Sequence, residues 1–353
     1  NGTRLLQLKN PWAQKGWRGR FSPFDSEGWR DASFRAEIGY DPAEARKHDD
    51  GVFWISWEDV LVYFSNLHLS WNPALFRYRM VTHGSWPKDQ GPANDTFNQG
   101  DNPQYILLMS EQAIAKRASV WILLSRHVTK QEQEGGEVSD FLTAHIHRAK
   151  NKKDRIWYPG GKSCVLTGAY TNNPHVLIRY DLQDARDCIL SVVLSQYQKS
   201  RDLGYTLACY CTEPFQLGRP AKDLPVRLRI SSEWHETNSG GPPGQVSFGS
   251  NPMWAFQVPT GGTSIQLRCS TSKTFAVNVM VVATTGFGQR VDRLTSDPII
   301  DSGNYRHGFV VVECERLPPG NYTMIASTFN PGQTGVFNLD VLSSKKLVVQ
   351  ALP

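Results

Sequence analysis

Leu5-Leu6-Gln7-Leu8-Lys9-Asn10-Pro11-Trp12, almost at the start of the chain, is the stretch from which the fold is read. A short apolar run stops at an Asn held before Pro and Trp. Asn-Pro alone is an ordinary turn pair.

The residues that follow, to about 79, are dense in Trp and mixed in character, with Trp17, Trp29, Trp54, Trp57 and Trp71 joining Trp12. Asp41-Pro42 opens a helical pattern through Ala45 and Lys47, with Pro at the first helical position. Val52-Phe53-Trp54-Ile55 predicts a strand. Ser56 caps a helix through Glu58, Asp59, Val60, Leu61 and Phe64, with its acidic residues in the first turn. Leu67-His68-Leu69 predicts another strand, stopped by Trp71-Asn72-Pro73. Interleaved strands and short helices make this part α+β.

Beyond residue 80 the pattern changes to strands separated by Gly, Pro and Asn. One set is Tyr105–Met109, Val120–Ser125, Phe141–His147, Val176–Tyr180, Ile189–Gln196 and Tyr205–Cys211. A second is Met253–Val258, Ser264–Leu267, Phe275–Val282, Phe309–Glu315, Tyr322–Ser327, Val336–Leu342 and Leu347–Leu352. Two antiparallel β-sandwiches are expected, over 80–225 and 226–353, with the Gly/Pro-rich row near 230–250 as a long loop. The two sets read as copies of one plan. Asn102-Pro103-Gln104-Tyr105 opens one and Asn251-Pro252-Met253-Trp254 the other. Ser195-Gln196-Tyr197 and Ser327-Thr328-Phe329 close corresponding strands.

Composition bounds the function. Lys plus Arg exceed Asp plus Glu by 38 − 33 = 5, too mild a balance to indicate nucleic acid. No run approaches the roughly 18 apolar residues of a membrane helix. The cysteines (164, 188, 209, 211, 269, 314) lack metal-knuckle or disulfide-framework spacing and read as reduced thiols of a cytoplasmic protein. None sits in a Gly-x-Cys-Trp-like context, so none reads as a nucleophile.

Asn10-Pro11-Trp12, then Trp17-Arg18-Gly19-Arg20-Phe21-Ser22 and Trp29, resemble the stretch around the triad Asn of the calpain family of cysteine proteases. Asp50-Gly51-Val52-Phe53-Trp54-Ile55-Ser56-Trp57-Glu58-Asp59 resembles a later signature of that family. Leu69-Ser70-Trp71-Asn72-Pro73 followed by two sandwiches is similar to its PalB-like branch, whose members end in tandem sandwiches instead of EF-hands. The resemblance implies that residues 1–79 are the second half of a papain-like protease core and that the intact protein is an endopeptidase. It implies that Asn10 is the triad Asn, that Trp12 shields the His–Asn contact, and that Cys and His precede this chain. The chain by itself would then be inactive. Calcium enters by resemblance only. The family's calcium loop presents an Asp and, two residues on, a Glu, whereas here Val52 follows Asp50, so Asp50 is a weak calcium ligand.

Partners follow in the same way: protein substrates, the first half of the protease core, and endosomal-sorting proteins, with a cytoplasmic, endosomal or nuclear location. The densest basic patch, Arg148, Lys150, Lys152, Lys153 and Arg155, is a candidate surface for anionic membrane or an acidic partner. A non-catalytic scaffold that binds through its sandwiches is the alternative function. His145 and His147 share one face of a strand, read as an exposed sandwich face. The acidic run Glu132-Gln133-Glu134-Gly135-Gly136-Glu137 is read as a loop.

Overall fold

A computed structural model describes residues 2–12, 16–47, 50–65, 67, 69–91, 97–135 and 140–353. Two compact units divide between Pro73 and Ala74. In the first, strands β1 (Leu5–Lys9) and β2 (Val52–Ser56) pair antiparallel, Leu5 opposite Ser56 and Lys9 opposite Val52. Between them in sequence lie helices α1 (Ala32–Ile38) and α2 (Pro42–Lys47). Asp31 caps α1, accepting from the amides of Ser33 and Phe34, and Gly39 ends it in the left-handed conformation at φ 63°, the geometry glycine adopts without steric cost. Helix α3 (Trp57–Tyr63) starts at Ser56, whose side chain accepts from the Asp59 amide. These helices are too short to stand alone; aromatic packing holds them. Trp29 lies 4.6 Å from Tyr40 and 5.2 Å from Phe21 between ring centroids, and its indole N–H donates to the Ser22 carbonyl at 2.8 Å. Trp17 and Trp54 pack in the same way against Tyr63 and Tyr40, whereas Trp12 and Trp71 are exposed. Leu67 and Leu69 belong to no strand, and His68 lies outside the described residues.

The second unit is antiparallel sheet with few helices. Its strands are β3 (Tyr78–Trp86), β4 (Gln104–Met109), β5 (Ser119–Arg126), β6 (Phe141–Arg148), β7 (Cys164–Thr167), β8 (His175–Asp181), β9 (Ile189–Tyr197), β10 (Leu203–Cys211) and β11 (Phe215–Gly218). They are followed by β12 (Val226–Trp234), β13 (Met253–Val258), β14 (Thr263–Thr271), β15 (Ala276–Thr284), β16 (Ile300–Asp301), β17 (Arg306–His307), β18 (Phe309–Leu317), β19 (Gly320–Thr328), β20 (Gly335–Ser343) and β21 (Val348–Ala351). Sheets β3-β10-β5-β8 and β11-β4-β9-β6-β7 enclose one core; sheets β12-β20-β14-β18 and β16-β15-β19-β13-β21 enclose another. The two orders match, with β3 corresponding to β12, β10 to β20 and β4 to β13, and the second copy adds β17 beside β15. The repeat read in the sequence is therefore a repeat of topology.

Each copy buries a Trp at the end of its first strand, Trp86 and Trp234. Each places a buried Asn ahead of the second, Asn102 and Asn251. Neither β3 nor β12 is anticipated by the sequence reading, and the expected division after residue 79 falls inside β3. Both are edge strands whose residues are mostly exposed up to the terminal Trp, so Arg, His, Gly and Ser dilute the apolar alternation that marks a strand.

Candidate functional site

At the end of β1 the Asn10 amide donates to the Gly51 carbonyl at 2.8 Å, continuing the β1–β2 ladder by one step. Its side-chain Oδ1 accepts from the Trp12 amide at 3.1 Å. Pro11 supplies no amide donor, so the chain turns here and the Asn side chain bridges the turn. The Trp12 side chain is 80% exposed. The opposite strand starts at a matching corner: Asp50 Oδ1 accepts from the Val52 amide at 3.0 Å, and Gly51 adopts φ 79°. Asp50 thus caps the entry to β2, and Val52 is committed to the ladder opposite Lys9. Among the described residues no three His, Cys, Asp or Glu side chains assemble a metal site.

The basic patch divides. Arg148 Nε donates at 2.7 Å to Asp187, whose carboxylate is fully buried. Arg155 donates to the carbonyls of Gly100 at 2.6 Å and Ala221 at 3.0 Å and lies over the Trp157 ring. Both guanidiniums are engaged within the fold, with side chains 24% and 21% exposed; a patch judged by charge density alone does not reveal which cations are already paired. Lys150, Lys152 and Lys153 remain exposed.

His145 and His147 do share a face, but it is buried and not the exposed sandwich surface expected. The outward face of β6 is covered from above, with the Tyr170 ring 6.1 Å from His145 and Ser163 Oγ 3.3 Å from His147 Nδ1. Burial, aided by the neighbouring His145, pushes the His147 imidazole down to about 4. The acidic run is likewise not a plain loop. Thr129 and Glu132 form a reciprocal capping box on the short helix Lys130–Gln133. Glu132 pairs with Arg126 at 2.5 Å, both side chains at most 7% exposed. The hydrogen bond from Arg126 holds the Glu132 carboxyl down at about 2. Gly136 and Glu137 lie outside the described residues.

The residues that join the two sandwiches are absent from the sequence reading. Arg268, on the outer face of β14 and 4% exposed in its side chain, donates to Asp223 at 2.6 Å and to Asp101 at 3.5 Å. Its guanidinium lies 4.5 Å from the Trp157 ring centroid. Phe309 stacks on Trp157 at 6.1 Å, and the Val311 amide donates to the Tyr158 hydroxyl at 3.0 Å. A groove of about 680 Å³ runs beside this joint, lined by Lys152, Lys153 and Lys222 on one side and Glu313 and Glu315 on the other. Asp101, Trp157, Asp223 and Arg268 are far apart in sequence and share no pattern that would pair them in advance.

Residues 1–70 match the family model described as calpain family cysteine protease. Human calpain-7 is 34% identical over 341 residues, which cover 96% of this chain and 41% of that protein. The calpain-like protease palB/RIM13 of Aspergillus oryzae is 29% identical, covering 100% of this chain and 40% of that protein. The chain therefore spans about two-fifths of the length of the curated relatives it matches. Among solved structures, the tandem CBM22 domain of Paenibacillus barcinonensis Xyn10C covers 75% of this chain and 91% of its own at 12% identity and a TM-score of 0.21, a likeness too slight to carry an argument. With the Asn10 corner, the sheet-rich second unit and relatives that run through both, the chain belongs to the calpain family of cysteine proteases, where it is similar to calpain-7 and palB/RIM13.

Proposed function

We propose that these residues are the part of a calpain-type cysteine endopeptidase that carries the triad asparagine, Asn10, the second half of a papain-like core and two β-sandwiches that position it. The observation that carries this reading is the calpain protease match over residues 1–70, with Asn10 at a ladder-fixed turn inside it. In the intact protein a Cys thiolate attacks the peptide carbonyl and a His shuttles the proton. Asn10 Oδ1 accepts the imidazole N–H, fixing ring orientation and tautomer, while the exposed Trp12 ring covers that bond. The Cys and His belong to another part of the protein. Cys209 and Cys269 are buried in the sandwich cores with thiols pushed up to about 12 by burial, unsuited to nucleophilic work near neutral pH. On this reading the protein acts on other proteins in a reducing, intracellular compartment, and Lys150, Lys152 and Lys153 are what is left of the patch for an anionic surface.

The test has two arms. This chain alone should not hydrolyse casein. In the longer protein, Asn10→Ala should lower kcat by roughly 10²–10⁴-fold with little change in KM. Casein cleavage by this chain that a thiol alkylator blocks, or an Asn10→Ala enzyme with unchanged kcat, overturns the proposal.

A further inference from the structure

In each sandwich the loop after the first strand is fastened to the turn between two later strands, β9–β10 in one copy and β19–β20 in the other. In the second sandwich the fastening is neutral. The Gly332 amide donates to the Ser239 carbonyl at 2.8 Å, the Gln333 amide donates to Ser239 Oγ at 3.1 Å, and Ser239 Oγ bonds Thr328 Oγ1 at 2.8 Å.

In the first sandwich the same joint is made by the Asp202 carboxylate, which accepts from the Lys88 amide at 2.6 Å, and by a cation. Lys199, two residues past Tyr197 and 8% exposed, sends its ammonium to three backbone carbonyls: Pro87 at 3.3 Å, Gly91 at 3.4 Å, and Gln90. These oxygens converge because the Gln90 amide closes a turn on the Pro87 carbonyl at 3.1 Å and Gly91 then adopts φ 76°, a left-handed conformation. The Trp86 ring lies 6.0 Å from the ammonium, and Asp89 and Asp101 favour its charge against the burial that opposes it. Three carbonyl oxygens, two nearby carboxylates and an aromatic face are what a protein offers a bound cation. Here the ammonium has all three of its protons to donate and three acceptors to take them.

We propose that Lys199 is the resident cation of the 87–91 turn, doing from within the chain what a dissolved ion would otherwise do, so that removing it leaves a vacant site for a small primary ammonium ion. Position 199 is therefore a latent cation site, and the fastening of this loop does not depend on dissolved calcium. The loop leads to Asp101, one of the carboxylates on Arg268, so the charge at Lys199 also steadies one side of the joint between the sandwiches.

The test is hydrogen exchange on the full chain. Lys199→Ala should lose about tenfold or more of its amide protection over residues 87–91 and 97–102 while the core strands keep theirs. n-Propylammonium chloride should restore that protection, and n-propanol, of the same shape without the charge, should not. Lys199→Met, which keeps the apolar stem, should behave like Lys199→Ala. In the unaltered chain, calcium chloride should leave protection of 87–91 unchanged relative to chelator. Equal rescue by n-propanol, a Lys199→Met variant indistinguishable from the parent, or calcium-dependent protection in the parent overturns the proposal.

Discussion

Two single residues illustrate how burial changes what a side chain does. Glu132 and His147 are both polar groups under the surface of the first sandwich, one charged and one neutral. The Glu132 carboxyl, ordinarily near 4.5, is held at about 2 by its hydrogen bond from Arg126. A carboxyl depressed in the folded state stabilises fully above its unfolded value and loses that contribution as pH falls from about 4.5 towards 2. His147, lowered from 6.5 to about 4 by burial, favours the neutral ring in the fold. Its contribution is complete above pH 6.5 and declines below it, by on the order of 3 kcal/mol across the window. Urea unfolding at pH 7, 5.5 and 4 should therefore show stability falling first through His147. His147→Gln should flatten the loss between pH 6.5 and 4. Glu132→Gln strands the Arg126 guanidinium and should cost about 3 kcal/mol at pH 7, read as a lowered urea midpoint. Asn10→Ala, by contrast, loses the turn bond from the Trp12 amide and should change the stability of this chain by less than about 1 kcal/mol; urea unfolding of the variant separates a loss of catalysis from a loss of fold.

At the scale of elements, caps decide where strands hand over to helices and loops. Ser56 is fully buried and both accepts from the Asp59 amide and donates to the Asp59 carboxylate. Ser56→Ala should cost about 1–2 kcal/mol, seen as a lower melting temperature of the first unit. Asn251 does more. Its carboxamide accepts from the Gly240 amide and donates to the carbonyls of Gly241 and Phe248, all at 2.9–3.0 Å and fully buried. It fastens the 235–252 loop to the start of β13. Asn251→Ala leaves those backbone groups unpaired and should cost about 2–4 kcal/mol, whereas Asn251→Asp, which cannot donate, should rescue little; equilibrium unfolding distinguishes the two. Asn102 and Asn251 stand at the same step of each copy, which is why Asn-Pro followed by Gln-Tyr or Met-Trp is visible as a repeat in the sequence.

For the molecule as a whole, the joint at Arg268 makes the tandem sandwiches one mechanical piece. A cation 4% exposed is tolerable because Asp223, Asp101, the Gln266 side-chain oxygen and the Trp157 face surround it. Arg268→Ala should uncouple the sandwiches. Calorimetry of the parent should give one transition for residues 74–353, and the variant should give two. A single unshifted transition in the variant would show that Phe309 against Trp157 suffices alone. Much of the architecture is legible in the sequence: every strand expected in the two sandwiches lies within an observed strand or overlaps one, because alternation of apolar residues reports which side faces a core. The edge strands β3 and β12 are not legible in this way, because an edge strand with one open side carries little of that pattern.

The sequence by itself determined most strands of the two sandwiches and their repeat, the helix starts at Pro42 and Ser56, and the Asn10-Pro11-Trp12 corner with its family likeness. All of these depend on neighbours a few residues apart, or on a local pattern repeated. Only the tertiary structure decided which charges are structural and which are spare. Arg148, Arg155, Glu132, Lys199 and Arg268 read alike as surface charges in a row of letters. Their partners lie as far as 167 residues away, and a charge is committed or spare according to what the fold brings within about 3 Å of it.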